Sequence, residues 1–303
     1  MALLSLAALL TVALLWPEGE PAAASGVASV AGGDAHTCAR TTTGEVQCWG
    51  LNDSGQVGDG SNTQRDAPVS VSGLGGAADA MDTGDYHTCA LLAAGGVQCW
   101  GDNLNGQLGD GGNADSSTPV DVSGLASGVS DIALGGFHTC AVHGAGVQCW
   151  GLNDFGQLGD GSNDNSTSPV DVLGLGTVAD LTGGRFHTCA LTTTGGVKCW
   201  GLNDFGQLGD ASNDNRSMPV DVSGLTSGVA AIGAGAFHTC AVTDSGGVKC
   251  WGNNENGQLG DGTMTSSNVP VDVCQDYDDI GLVCNQTFAG AVDIGGGLEH
   301  SCA

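Results

Sequence analysis

The sequence predicts an all-β fold, a β-propeller of four-stranded blades, on three observations. A unit of about fifty residues repeats along the chain. Cysteines recur in closely spaced pairs within it, and glycines punctuate short apolar runs. The tripeptide His-Thr-Cys and its near copy place Cys at 38, 89, 140, 189, 240 and 302, so five units are complete and a sixth opens before Ala303. The 54 glycines among 303 residues lack the every-third-residue order of collagen and therefore read as turns between many strands. An apolar fraction of 41% is enough for a buried core.

Each element of the unit can be justified in turn. In the fourth unit, Val178 to Thr182, Phe186 to Leu191, Val197 to Trp200 and, after Pro219, Val220 to Val222 read as four short strands. Pairing Cys189 with Cys199 sets Leu191 opposite Val197 and leaves the three-residue loop Thr193-Thr194-Gly195, which suits a tight hairpin. In the third unit the cysteines are one residue closer, and the same register leaves Gly144-Ala145 as a two-residue loop. Strand alternation then places Cys189, Cys199, Leu191 and Val197 on one face of the sheet, and Thr188 and Trp200 on the other. Two covered faces are what stacked blades require. The predicted units span 26–74, 75–125, 126–175, 176–225 and 226–285, with a partial sixth at 286–303.

Between the third and fourth strands runs Gly201-Leu202-Asn203-Asp204-Phe205-Gly206-Gln207-Leu208-Gly209-Asp210, a structured loop. It lacks the lysine of a phosphate-binding loop, which excludes a nucleotide reading. The motifs Trp-Gly-x-Asn-x-x-Gly-Gln-Leu-Gly, Pro-Val-x-Val, Gly-Gly-x-His-Thr-x-Ala-Leu and Gly-x-Val-x-x-Trp-Gly resemble the regulator of chromosome condensation (RCC-type) repeat, over nearly all of 26–303. The resemblance implies a seven-bladed propeller. Five units and the opening of a sixth then predict an incomplete ring, either a fragment of a longer protein or an open arc with exposed strand edges. The family ordinarily has no cysteine where this chain has Cys89 and Cys99 and their equivalents, which implies adaptation to an oxidising compartment. The nuclear, chromatin-associated role of the eponymous members does not carry over to a chain with a leader and an acidic surface. The more apt resemblance is to secreted bacterial members, some of which inhibit enzymes through one propeller face.

Residues 1–24 read as a signal peptide: Leu3 to Trp16 is an apolar run, and Ala22-Ala23-Ala24 precede Ser25. The alternatives are an uncleaved N-terminal anchor and a start site placed too far downstream. Secretion or display at the cell surface follows. Six Lys+Arg against 33 Asp+Glu give a formal net charge of −27, a field that repels nucleic acid and anionic membranes and fits a cationic partner, Ca²⁺, a salty medium or plain solubility; the expected partner is an unidentified protein.

In an oxidising compartment the spacing predicts disulfides Cys38–Cys48, Cys89–Cys99, Cys140–Cys149, Cys189–Cys199, Cys240–Cys250 and Cys274–Cys284, with Cys302 unpaired. A zinc site of two Cys and one His per blade is the alternative, disfavoured because zinc ligands usually stand only about 2–4 residues apart. His36, His87, His138, His187 and His238, with His300, recur once per unit, which suits strand-end hydrogen bonding better than catalysis. Trp49, Trp100, Trp150, Trp200 and Trp251 predict packing between blades. Phe155 and Phe205 share one loop position beside Asp154 and Asp204; they form either an interface hot spot or a fold-back over the blade. The variable segments 61–67, 112–118, 162–168, 212–218 and 263–269 are where recognition or mere spacing resides. No cofactor is predicted. Asp160, Asp164, Asp210 and Asp214 offer oxygens for Ca²⁺, but without the spacing of a known calcium loop.

The expected function is an extracellular protein-binding scaffold, not an enzyme, presenting loops on one face. A structural repeat module of a larger surface protein is one alternative. A carbohydrate- or peptide-acting enzyme with a site at the channel mouth is the other, disfavoured by the lack of a one-off catalytic constellation.

Overall fold

The computed structural model describes residues 26–277, 284–297 and 299–303. The predicted leader lies outside them, as does the side chain of Cys284.

Five four-stranded antiparallel sheets, blades 1 to 5, occupy 27–70, 78–121, 129–171, 178–221 and 229–272, and within each the strands lie side by side in chain order. Blade 4 consists of Val178–Gly183, His187–Thr192, Val197–Gly201 and Arg216–Asp221. Its fourth strand starts earlier than the sequence suggests and contains Pro219. That strand is the outer edge, and its register slips between the Cys199–Val220 and Gly201–Arg216 pairs. Proline is tolerated there because an edge position needs no further ladder donor.

The hairpin registers agree with the cysteine argument. Cys189 faces Cys199, Leu191 faces Val197 and Thr188 faces Trp200. Thr192 N–H donates to Gly196 O at 2.8 Å, leaving the three-residue loop, in which Gly195 adopts φ +79°. In blade 3 Val142 pairs with Val147 and His143 with Gly146, leaving Gly144 and Ala145 at the tip. The directly opposed cysteines of all five blades form disulfides, each with Cα atoms 4.1 Å apart. The zinc alternative therefore falls. Cys274 is also disulfide-bonded, in a hairpin of Cys274–Tyr277 with Cys284–Thr287, and Cys302 is free and exposed.

Blades stack face to face. The Cys189, Leu191, Val197 and Cys199 face of blade 4 is buried against Ile232, Ala241 and Trp251 of blade 5. Its opposite face sets Ala190 and Trp200 on Cys140, Val142, Val147 and Cys149 of blade 3. Trp100, Trp150, Trp200 and Trp251 are fully buried, whereas Trp49 is only half-buried. Trp49 lies on the outer face of blade 1, which no described sheet covers, and Val27 and Val30 of the same blade are more than 60% exposed. Beyond blade 5, Gly295–Gly296 pairs with Ser301–Cys302, and Ile294 is buried against Cys240, Val242, Val248 and Cys250.

Candidate protein-binding face

The repeated histidines build the junctions between blades. Thr188 Oγ1 donates to the Gln157 carbonyl at 3.0 Å, and Trp200 Nε1 donates to the same oxygen at 2.9 Å. The single hydroxyl proton of Thr188 is thereby used, so His138 Nε2, 2.8 Å away, must carry the proton and donate. The same relay joins His36 to Thr88, His87 to Thr139 and His187 to Thr239, each at 2.9 Å. Burial drives these imidazoles to the neutral form: His87, His138 and His187 are lowered to about 3, and His36 and His238 to about 4. Close backbone packing fixes each ring, and a Cβ on Gly184 would stand 2.0 Å from His187 Cε1. These are structural histidines, walled from solvent.

Loops segregate to two faces. The link between first and second strands and the long link between third and fourth meet on one side, where Leu202 N–H donates to Phe186 O at 2.9 Å and Leu152 N–H to Phe137 O at 2.9 Å. The hairpin tips and blade linkers meet on the other, as in the bond from Val229 N–H to Gly195 O at 3.1 Å.

On the first side, the inner loops are tied around a central channel of about 480 Å³ lined by the ends of the first strands and the glycine-containing loops that follow them. Asp34 N–H donates to Asp85 O, Asp85 to Gly136, Gly136 to Arg185, Arg185 to Ala236 and Ala236 to Gly297, at 3.0 to 3.3 Å. This chain of backbone bonds holds the next residue of each loop in a fixed arc. After Ala35 in the first loop, those residues are Tyr86, Phe137, Phe186 and Phe237, half-buried, with successive ring centroids 5.7 to 6.2 Å apart. Arg185 lies 5.8 Å from the centroids of both Phe137 and Phe186, and its Nε is 2.9 Å from Asp85 Oδ2. Tyr86 Oη donates to Asp34 Oδ2 at 2.9 Å.

Phe155 and Phe205 join this arc from the long loops. Phe155 packs edge-on against Phe186 at 5.4 Å and Phe205 against Phe237 at 5.6 Å. Both fold onto the neighbouring blade and are half-buried there. Asp154 and Asp204 beside them are exposed, and their carbonyls accept from Asn163 and Asn213 at 2.9 and 3.0 Å. The inner four aromatics escaped the sequence reading, although the residue before His is aromatic in four repeats.

Two carboxylates of the first strands are half-buried. Asp82 and Asp131 are raised to about 6, chiefly by desolvation, although each accepts backbone N–H bonds, Leu134 to Asp82 at 2.8 Å and Ile132 to Asp131 at 2.9 Å. The calcium-candidate carboxylates act differently. Asp160 and Asp210 accept from Ser162 and Ser212 and from Asn153 and Asn203, and Asp210 also pairs with Arg216 at 2.8 Å. They pin the long loops, while Asp164 and Asp214 point to solvent. Among the described residues, no three His, Cys, Asp or Glu side chains gather as a metal site. Five of the six basic side chains are ion-paired.

The fold defines a β-propeller of four-stranded antiparallel blades. The chain belongs to the RCC1-like domain family, whose profile matches residues 18–303. It is 34% identical over 249 residues to the human E3 ubiquitin-protein ligase HERC2, covering 81% of this chain but 4% of HERC2. It is 36% identical over 119 residues to the Arabidopsis thaliana ultraviolet-B receptor UVR8, covering 38% of this chain and 27% of UVR8. The chain thus spans well under two thirds of these relatives. Among solved structures it is similar to human WBSCR16, with TM-score 0.78 and 25% identity over 91% of this chain and 71% of that one. Prp20p of Saccharomyces cerevisiae shares the fold at TM-score 0.75 and 21% identity, over 91% and 67% of the two chains.

Proposed function

We propose that this chain is an extracellular protein-binding propeller, and that its partner docks on the channel-mouth face across the arc of Tyr86, Phe137, Phe186 and Phe237 with Phe155, Phe205 and Arg185. The observation that carries this reading is a continuous row of half-buried aromatic rings interleaved with an arginine, the residue types that dominate binding hot spots. The backbone chain beneath it makes the row rigid, so little ordering cost opposes binding. Prp20p, which shares the fold, binds Gsp1p and histones, an analogy of fold that supports a protein partner in general and names none.

Three features support an extracellular setting: five buried disulfides, the apolar run from Leu3 to Trp16 ahead of Ala22-Ala23-Ala24, and a formal charge of −27. The same charge argues for a protein partner that is neutral or cationic at its contact, and against a phosphate backbone. Affinity capture from culture medium tests the reading. The wild-type chain should retain a specific protein that Phe155→Ala/Phe205→Ala loses by at least about tenfold, since central aromatic anchors contribute about 2 kcal/mol or more. Lys198→Glu, on the hairpin side, should retain it. Retention by the double variant, or no partner at all, sinks the proposal and favours a structural spacer.

A further inference from the structure

Arg185 shows how a guanidinium sits on the channel-mouth face. It lies 5.8 Å from the ring centroids of both Phe137 and Phe186, and its Nε is 2.9 Å from Asp85 Oδ2, so one cation is shared between aromatic rings and a carboxylate. The ion pair crosses over Gly136, where a Cβ would stand 2.9 Å from Arg185 Cγ and 3.1 Å from Asp85 Cγ.

The same two ingredients, ring and carboxylate, recur further out on this face without a cation of the chain's own. Asp154 directly precedes Phe155 and Asp204 directly precedes Phe205, at one loop position of blades 3 and 4. Both carboxylates are exposed, and each ring is fixed by a second ring, Phe186 or Phe237. The other three long loops differ. Asp53 and Glu255 are followed by Ser54 and Asn256 and so bring an acid without a ring, while Leu104-Asn105 brings neither. Among the described residues no basic side chain pairs with Asp154 or Asp204: Arg65 is held by Asp59, Arg216 by Asp210, and Lys198 and Lys249 by Asp221 and Asp272. Asp164 and Asp214, also exposed, follow the asparagines that bond back to these loops, so the potential around both rings is negative.

We infer that the partner reads this face with arginine. The occupant is an extended segment whose two arginines lie on Phe155 and Phe205, each guanidinium over a ring and beside Asp154 or Asp204, as Arg185 lies on Phe137 and Phe186 beside Asp85. This deepens the docking face proposed above and rests on it. Arginine fits better than lysine because its planar, weakly hydrated head stacks on a ring while its N–H groups reach a carboxylate.

The test uses the full chain and two dye-labelled peptides read by fluorescence polarisation. One is Gly-Arg-Gly-Ser-Gly-Arg-Gly; the other replaces both arginines by citrulline, which keeps the shape and loses the charge. The arginine peptide should bind the wild-type chain at least about tenfold more tightly. Asp154→Asn/Asp204→Asn and Phe155→Leu/Phe205→Leu should each abolish most of that preference. Asp79→Asn/Asp244→Asn makes the same charge change at exposed positions on the hairpin side and should leave it intact. Equal binding of the two peptides overturns the inference. So does an equal loss in the two Asn double variants, which would reduce the effect to overall charge. Capture from culture medium separates the arginines from the face itself. A partner lost by Phe155→Ala/Phe205→Ala but kept by Asp154→Asn/Asp204→Asn leaves the docking face standing and refutes the arginine assignment, whereas a partner kept by both variants removes the face as well.

Discussion

At the scale of single residues, position within the blade junction decides what each side chain does. Trp200 is fully buried and bonded to Gln157 O, while Trp49 carries the same motif but is half-buried. Trp200→Ala should therefore destabilise by about 3–5 kcal/mol, as deletion of a buried large aromatic does, and Trp49→Ala by much less. Chemical denaturation of the two variants checks this, and equal losses would contradict the junction geometry. Acid sensitivity follows from the histidines. Their folded pKa values, about 3 to 4, lie below the ordinary 6.5, so the unfolded chain takes up protons that the fold refuses. Their contribution is complete above pH 6.5 and is lost as pH falls through 6.5 towards 3. Asp82 and Asp131, raised to about 6, act in the opposite sense: their contribution is complete below about pH 4 and is lost as pH rises through 6. Each group moves the folding equilibrium by up to about tenfold per pH unit. Asp85, Asp102 and Asp180 are raised in the same sense, so above the ordinary carboxylate value of about 4 five aspartates oppose the five histidines; below it that opposition is gone, and the urea midpoint should fall between pH 4 and pH 3. A flat or rising midpoint over that window would show that the imidazoles are not neutral in the fold.

At the scale of elements, the disulfide staples one hairpin and leaves the next to its own. Each bridge closes a loop with a sequence separation of 9 or 10, short enough that its contribution should be at or below about 3 kcal/mol. Cys189→Ala/Cys199→Ala should then lower stability by that order without unfolding the chain, measured by denaturant midpoint; complete loss of the folded state would mean that bridges, not stacking, carry the fold. The hairpin was legible in the sequence because two cysteines and one glycine specify register, face and loop together. The fourth strand was not. Pro219 reads as a strand breaker, and only its place on the outer edge, set by the neighbours it lacks, makes Arg216–Asp221 a strand.

At the scale of the whole molecule, the candidate site is a product of stacking. Phe155 and Phe205 stood out in the sequence because their equivalents are Ser54, Asn105 and Asn256. Tyr86, Phe137, Phe186 and Phe237 did not, because strand alternation places Phe186 in its own blade and carries no information about a ring in the next. What joins them is the bond from Gly136 N–H to Arg185 O and its equivalents, a contact between loops about fifty residues apart. Arg185→Ala should reduce partner affinity while leaving the denaturant midpoint nearly unchanged, because a partly exposed ion pair adds about 1 kcal/mol or less to stability. A binding assay beside an unfolding curve separates the two, and a large stability loss would recast Arg185 as a structural residue.

Site-specific photo-cross-linking puts the binding face to the most direct test. A benzophenone side chain at position 186, on the channel mouth, is compared with one at position 194, on a hairpin tip of the opposite face. Cross-linked protein from the medium should appear from position 186 and not from 194. Adducts from 194 alone would place the partner on the other side of the propeller.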